Sequence, residues 1–329
     1  MILKYQDVYI HSSGCTICKN NAFKLNRENI DEIFEDDLCQ QNSFEKAERC
    51  LIRKAVDATI RKGDFQLKDI DCVIGADLNN QLCASHYFMR DLEIPFIGMY
   101  AACASSSLLL NQAAMMLQQN VNQILVFTSS HYAVASRQFR YPNTYGEQKK
   151  VTSTTTVTGA GAMILSHRPS SIRVVEGFIG RIIDWHYDNV SDMGRAMAPA
   201  VYENFMTYLT ETTFKLEDFD CIATGDLSQA GFQMFCDLLQ TSQIEVNNQF
   251  TDCGLRIFNL DEHDIFCGGS GPACSMIVLI SDLLDQLQKG KLKRILLLAS
   301  GALFSNVAIY QKESIPCICH GIVLERCDL

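Results

Sequence analysis

The chain has 329 residues, 47% of them hydrophobic and 20% charged, with a formal net charge of −10. That length supports one large core or two fused ones, and the acidic balance excludes a general nucleic-acid binder, which needs a basic face. No apolar run nears the roughly 18 residues of a membrane span, and Met1–Asp7 lack the basic-then-apolar pattern of a secretion signal, so a soluble protein is expected.

Fifteen cysteines, an odd number, without a leader segment argue against a disulfide framework. Cys15 and Cys18 form a lone CxxC; the nearest second ligand set for a metal is Cys317, Cys319 and His320. A zinc site needs such a second pair close in space, so loose surface thiols are expected at Cys15 and Cys18 and no metal site is assigned. Ser43 is placed to cap a helix carrying Ala47, Leu51, Ala55 and Ala58 on one face, closed by Gly63. Residues 70–75, 95–100 and 124–128 are short apolar runs suited to buried parallel strands.

The chain repeats itself. Residues 65–78 (FQLKDIDCVIGADL) align without a gap with 214–227 (FKLEDFDCIATGDL), an offset of 149. An apolar helix begins at Cys103 and leads to the strand at 123–128. Its counterpart begins at Cys274 and leads to the strand at 294–299, an offset of 171. Residues 161–166 resemble 321–325 in the same way. Each half is expected to run helix, strand, helix, strand, helix, strand, strand, and strands alternating with helices imply a doubly wound α/β sheet. The halves are placed at 1–170 and 171–329, with two sheets sandwiching the segments 103–119 and 272–288. Residues 129–158 have no partner in the second half and read as a long insertion loop, usually a functional feature.

Cys103 lies just after a strand at the start of a buried helix, where the helix dipole lowers a thiol pKa. The string Ala101-Ala-Cys-Ala-Ser-Ser106 resembles the nucleophile elbow of the thiolase superfamily, notably ketoacyl-ACP synthase III, and the resemblance covers the whole duplicated chain. It implies a layered α-β-α-β-α fold. It also implies two further groups, a His with an Asn or a second His, that stabilise the oxyanion. They are due in the loop after the first repeated strand of the second half and in the turn before its central helix. Those segments, 223–229 (ATGDLSQ) and 266–272 (FCGGSGP), contain neither His nor Asn, and Gly269 falls where the Asn is due. His11, His86, His263 and His320 sit elsewhere in the sequence. The site therefore reads as a degenerate one and the chain as a non-enzyme.

Further strings, taken in order, narrow the resemblance. They are 137–142 (RQFRYP), 145–149 (YGEQK), 157–161 (VTGAG), 224–228 (TGDLS), 252–255 (DCGL), 268–271 (GGSG) and 311–316 (QKESIP). Together they are similar to the stage V sporulation protein AD family. That resemblance implies a component of the SpoVA system of endospore formers, which loads dipicolinic acid (pyridine-2,6-dicarboxylate) with calcium into the forespore and releases it at germination. It implies a dipicolinate-binding protein, peripheral at the forespore or spore inner membrane, with SpoVA membrane proteins as partners. No resident cofactor is implied, though calcium can accompany the ligand, and the superfamily habit implies a homodimer.

A flat dianion needs forked cations, hydroxyl donors and an apolar wall. Between His131 and Lys150 the sequence offers Arg137, Arg140, Lys149 and Lys150 against Glu147, interleaved with Tyr132, Phe139, Tyr141 and Tyr145. This stretch is either an anion site or a solvated basic loop. The expected ligand residues are Cys103, Ser129, Asp77, His131, Arg137 and Arg140. Asp77 and its repeat Asp226 equally suit helix capping after each strand. Two rival readings stand beside this one: an acyl transferase using Cys103 with His131 as base, and a structural scaffold or plug for the membrane subunits.

Overall fold

The structure is a computed structural model in which residues 1–139, 149–262 and 265–327 are described. Its first half runs β1 (Tyr9–Cys18), α1 (Phe44–Gly63), β2 (Cys72–Ala76), α2 (Cys83–Met89), β3 (Phe96–Gly98), α3 (Ser105–Leu117), β4 (Gln123–Ser130), α4 (Tyr132–Phe139) and β5 (Gly159–Ser166). The second runs β6 (Ile172–Phe178), α5 (Met193–Glu211), β7 (Cys221–Thr224), α6 (Ser228–Thr241), β8 (Phe250–Asp252), α7 (Pro272–Val278), β9 (Arg294–Ala302) and β10 (Cys317–Arg326). Beyond Val278, α7 continues as a wider turn over Leu279–Leu283 and regains α geometry at Leu284–Gln288.

The strands lie in the order β8-β7-β9-β10-β6-β1-β5-β4-β2-β3. Each half therefore repeats one arrangement. A central strand (β2, β7) is parallel to both neighbours, and the antiparallel strands follow. The halves join where Tyr9 of β1 meets Arg173 of β6. Alternate side chains along each strand assign the layers. Ile124 and Val126 face a core shared with Leu109, Ala113, Met276 and Ile277 of the central helices and with Ile295 and Leu297 of β9. Leu125 and Phe127 face α1 and α2, and Leu296 and Leu298 face α5 and α6. The result is five layers, helix-sheet-helix-sheet-helix, around the pair α3 and α7. Ser106 and Ser275 hydrogen-bond between those helices at 2.7 Å.

The repeat keeps its polar details as well as its apolar ones. Asp69 and Asp218 each accept the backbone N–H three residues before them, of Gln66 and Lys215, at 2.7 Å. Asp71 accepts the N–H groups of Asn122 and Gln123 at the start of β4, and Asp220 accepts those of Lys293 and Arg294 at β9.

Four expectations need correction. Each half opens with a strand, β1 or β6, ahead of its first helix. β1 hides from a search for apolar runs because Ser12 and Thr16 bury their hydroxyls by donating to Thr59 and Leu51 carbonyls of α1. Cys15 and Cys18 are not surface thiols: both are buried in β1, Cys18 with its sulfur 3.3 Å from that of Cys39. α1 is capped by Ser43 as expected, but the left-handed residue at its end is Asp64; Gly63 is required because a Cβ there would lie 2.5 Å from Ser12 Oγ. The stretch 129–158 is not one loop. Ser129 and Ser130 finish β4, 132–139 is the helix α4, and Thr155–Thr156 pairs with Gly269–Ser270.

Among the described residues no helix is long and apolar enough to cross a membrane, and no group of three or more His, Cys, Asp or Glu is arranged to hold a metal ion.

Candidate functional site

The carboxyl ends of β2, β4, β7 and β9 converge on the amino ends of α3 and α7. Thr128 Oγ1 donates to the Pro272 carbonyl at 3.0 Å. Gly301, at the end of β9, lies so close to the Cys103 turn that a Cβ would sit 2.4 Å from the Ala101 carbonyl. Ala102 takes a left-handed φ of 48° to turn the chain from β3 into the helix. A non-glycine residue in that region stores about 1–3 kcal/mol of strain, held here by the packing of Ala102 against Leu78 and Ala135.

Cys103 follows in the single turn that precedes α3. The carboxylate of Asp226, in the loop after β7, is close enough to bear on its thiol electrostatically. Asp226 is fully enclosed and accepts from the Gly271 N–H at 2.9 Å and from Ser300 Oγ at 3.4 Å. Burial pushes its pKa up to about 7. The thiol is raised well above its ordinary value, first by burial and then by the Asp226 charge, which outweigh the Gly271 N–H. Where the resemblance to condensing enzymes calls for a histidine, this chain supplies an acid. Where it calls for Asn, Gly269 has no room for a side chain, since a Cβ would meet Ile257 Cγ2 at 2.5 Å. A protonated thiol beside a carboxylate is the wrong pairing for a nucleophile.

A second polar cluster lies at the ends of β2 and β4. Asp77, fully buried, accepts from the N–H groups of Asn79 (2.7 Å) and Ser85 (2.8 Å) and from Ser85 Oγ (2.6 Å), which anchors the start of α2. Glu48 of α1 is also buried and accepts from Ser129 Oγ at 2.9 Å and Asn79 Nδ2 at 3.0 Å. Burial and then the Asp77 charge push Glu48 up to about 8, and burial raises Asp77 as well. The Tyr100 hydroxyl is raised to about 12 by burial and then by the Cys103 and Asp77 charges.

The expected residues separate accordingly. Cys103 and Asp77 face the same region, and Ser129 adjoins Asp77 through Asn79 and Glu48. His131 is buried and structural: Nδ1 accepts from Ala133 N–H, so Nε2 carries the proton and donates to the Asp37 carbonyl at 2.7 Å. Burial lowers its pKa. Arg137 lies on exposed α4 and pairs with Glu45 of α1. Arg140, Tyr141, Tyr145, Glu147 and His263 lie outside the described residues. α4 covers the Cys103 turn through Ala135 and Phe139, pinned by Gln138, which accepts from Asn80 N–H at 2.7 Å and Asn306 Nδ2 at 2.6 Å.

Two residues of this site were not singled out from the sequence. Asp226 was visible only as the repeat of Asp77, and nothing in the sequence separates their jobs. Glu48 was signalled by a lone acid beside the apolar face Ala47, Leu51 and Ala55.

The model of the stage V sporulation protein AD family matches residues 2–325. The chain belongs to that family. The Bacillus subtilis (strain 168) stage V sporulation protein AD is 40% identical over 298 residues, which is 90% of this chain and 88% of that protein. Among solved structures, the cerulenin-bound OleA of Xanthomonas campestris superposes with a TM-score of 0.64 at 15% identity, covering 98% of this chain and 97% of that one. The Aquifex aeolicus VF5 3-oxoacyl-[acyl-carrier-protein] synthase III does so with a TM-score of 0.58 at 13% identity, covering 97% of this chain and 99% of that one. These structures give the family member its thiolase-like fold and nothing of its chemistry. The sporulation family name, not an enzyme's, is the one its sequence carries.

Proposed function

We propose that this family member binds dipicolinate without chemical turnover, in the region between Cys103, Asp226, Asp77 and Ser129, as the peripheral component of the SpoVA system that moves the acid into the forespore and out at germination. The observation that carries the reading is the buried acid Asp226, held by the Gly271 N–H and Ser300 Oγ, in the neighbourhood of Cys103. Burial first and the Asp226 charge second raise the pKa of the thiol at this elbow, so the position suits ligand contact and not attack. The acyl transferase reading loses its proposed base as well, because both nitrogens of His131 are engaged with backbone groups.

The site is acidic. Asp77 and Asp226 hydrogen-bond to neutral donors and have no cation beside them in these bonds, so the charge they carry repels a bare dianion there. Calcium arriving with the ligand offsets that charge, and dipicolinate is therefore expected to bind more tightly with calcium present. Pairing of two copies and docking on SpoVA membrane proteins complete the proposal.

Isothermal titration with dipicolinate, with and without calcium, tests it. Saturable binding at one ligand per chain, weakened by Cys103→Ala, is the expected result. Absence of heat at millimolar ligand, or acylation of Cys103 by acyl-CoA with turnover, overturns it. Intact assembly with the membrane subunits but no ligand binding leaves the scaffold reading in its place.

A further inference from the structure

An open cleft of about 590 Å³ lies between residues 149–152 and the segment 187–195, lined by Lys149, Lys150, Thr152, Tyr187, Asn189 and Arg195, with Asp192 at its base. Three cations face one acid, a local charge of +2 in a chain of net charge −10. The acid is already satisfied. Asp192 is 1% exposed and accepts from Arg195 Nη1 (2.7 Å), from the Arg195 N–H (3.3 Å) and from Tyr187 OH (3.1 Å) while capping α5. Among the described residues neither lysine forms an ion pair. Lys149 is instead held with its ammonium over the rings of Tyr132 (4.7 Å) and Phe266 (5.5 Å), fixed in place without being neutralised. Thr152 donates to the Ser191 carbonyl at 2.9 Å and so ties the two walls together.

We infer that this cleft is a binding site for a small dianion, carboxylate or phosphate, distinct from the Cys103 region. Two ammonium groups and a guanidinium around a hydroxyl-lined opening are the donor set such an anion needs. The acids around Cys103 supply none of it. The two places share a wall. Ser153 accepts the Cys267 N–H (3.0 Å), Thr155 donates to the Gly268 carbonyl (2.8 Å), and Val157 donates to the Ser270 carbonyl (2.9 Å), one residue before the Gly271 N–H that reaches Asp226. The segment that follows the cleft wall therefore also borders the turn before Pro272.

Titration of full-length Cys103→Ala protein with inorganic phosphate and with dipicolinate, beside Cys103→Ala carrying Lys149→Gln and Lys150→Gln, isolates the cleft from the proposed site at Cys103. Saturable binding of either dianion at low salt, weakened at least tenfold by the lysine pair, is expected; loss with dipicolinate alone identifies an aromatic dicarboxylate site, and equal loss with phosphate a general dianion site. Dianion binding indifferent to the lysine pair, or no binding of either anion, overturns the inference. Dipicolinate binding to the unsubstituted protein that vanishes wholly with Cys103→Ala also overturns it while leaving the function proposed above intact.

Discussion

The Asp226 carboxylate bears on the Cys103 thiol: after burial, its charge is the next cause that raises the thiol's pKa. A thiol at a helix start is poised to ionise when a cation or imidazolium stands beside it. Burial acts in the opposite sense, and a carboxylate there adds to it. Replacing Asp226 by Asn removes the charge while keeping a polar partner, so the Cys103 pKa falls. Alkylation of the Cys103 peptide, followed by mass spectrometry as a function of pH, is expected to speed up at a given pH. An unchanged profile would show that burial alone holds the thiol protonated.

The repeat at 65–78 and 214–227 made the five-layer architecture legible, because matched apolar and aspartate positions do matched work: Asp69 with Asp218, Asp71 with Asp220. It failed at Asp77 and Asp226, which end equivalent strands but face different surroundings, one the start of α2 and the other Cys103. That divergence depends on contacts between the halves, which pairwise spacing does not carry. The basic stretch was legible as composition only. Arg137 is bound to Glu45 on α1, and the pull of that distant acid is invisible along the chain. Lys149 and Lys150 instead join Arg195, 45 residues beyond Lys150, through a fold contact.

Glu48 gives the molecule a pH dependence of definite sign. Burial lifts its pKa from an ordinary 4.5 to about 8 on folding. The folded state therefore holds a proton that the unfolded state has lost, and stability falls as pH rises across that window, by at most about 1.4 kcal/mol per pH unit for one proton. Glu48→Gln keeps the groups facing Ser129 and Asn79 occupied and removes the titration. Thermal melts at pH 5 and pH 8 are expected to show the variant gaining on the parent protein at the higher pH. A parallel shift at both values would assign the effect to packing instead.

Ser129 offers a way to weigh ligand contact against structure. Its hydroxyl is spent on Glu48, so Ser129→Ala leaves a buried carboxyl oxygen short of one donor, a cost of about 1–3 kcal/mol. Denaturant unfolding is expected to show that loss. Titration with dipicolinate separates the roles: an affinity that falls beyond what the melted fraction explains assigns Ser129 to the ligand as well.

The glycine at 269 explains why the enzymatic pattern cannot simply be written back. An asparagine there would place its Cβ 2.5 Å from Ile257 Cγ2, a branched methyl with little freedom to move. Overpacking of this kind costs about 1–3 kcal/mol, and Gly269→Ala already incurs the clash. The backbone is committed too, since the Gly269 carbonyl accepts from Ser228 Oγ at 2.8 Å and the strand pairs with Thr155. Gly269→Asn combined with Asp226→His is therefore expected to lower the melting temperature by several degrees and to give no acyl transfer from acyl-CoA. A stable double variant that acylates Cys103 would show instead that the residues around Ile257 yield readily, and that the fold retains its chemistry behind two side chains.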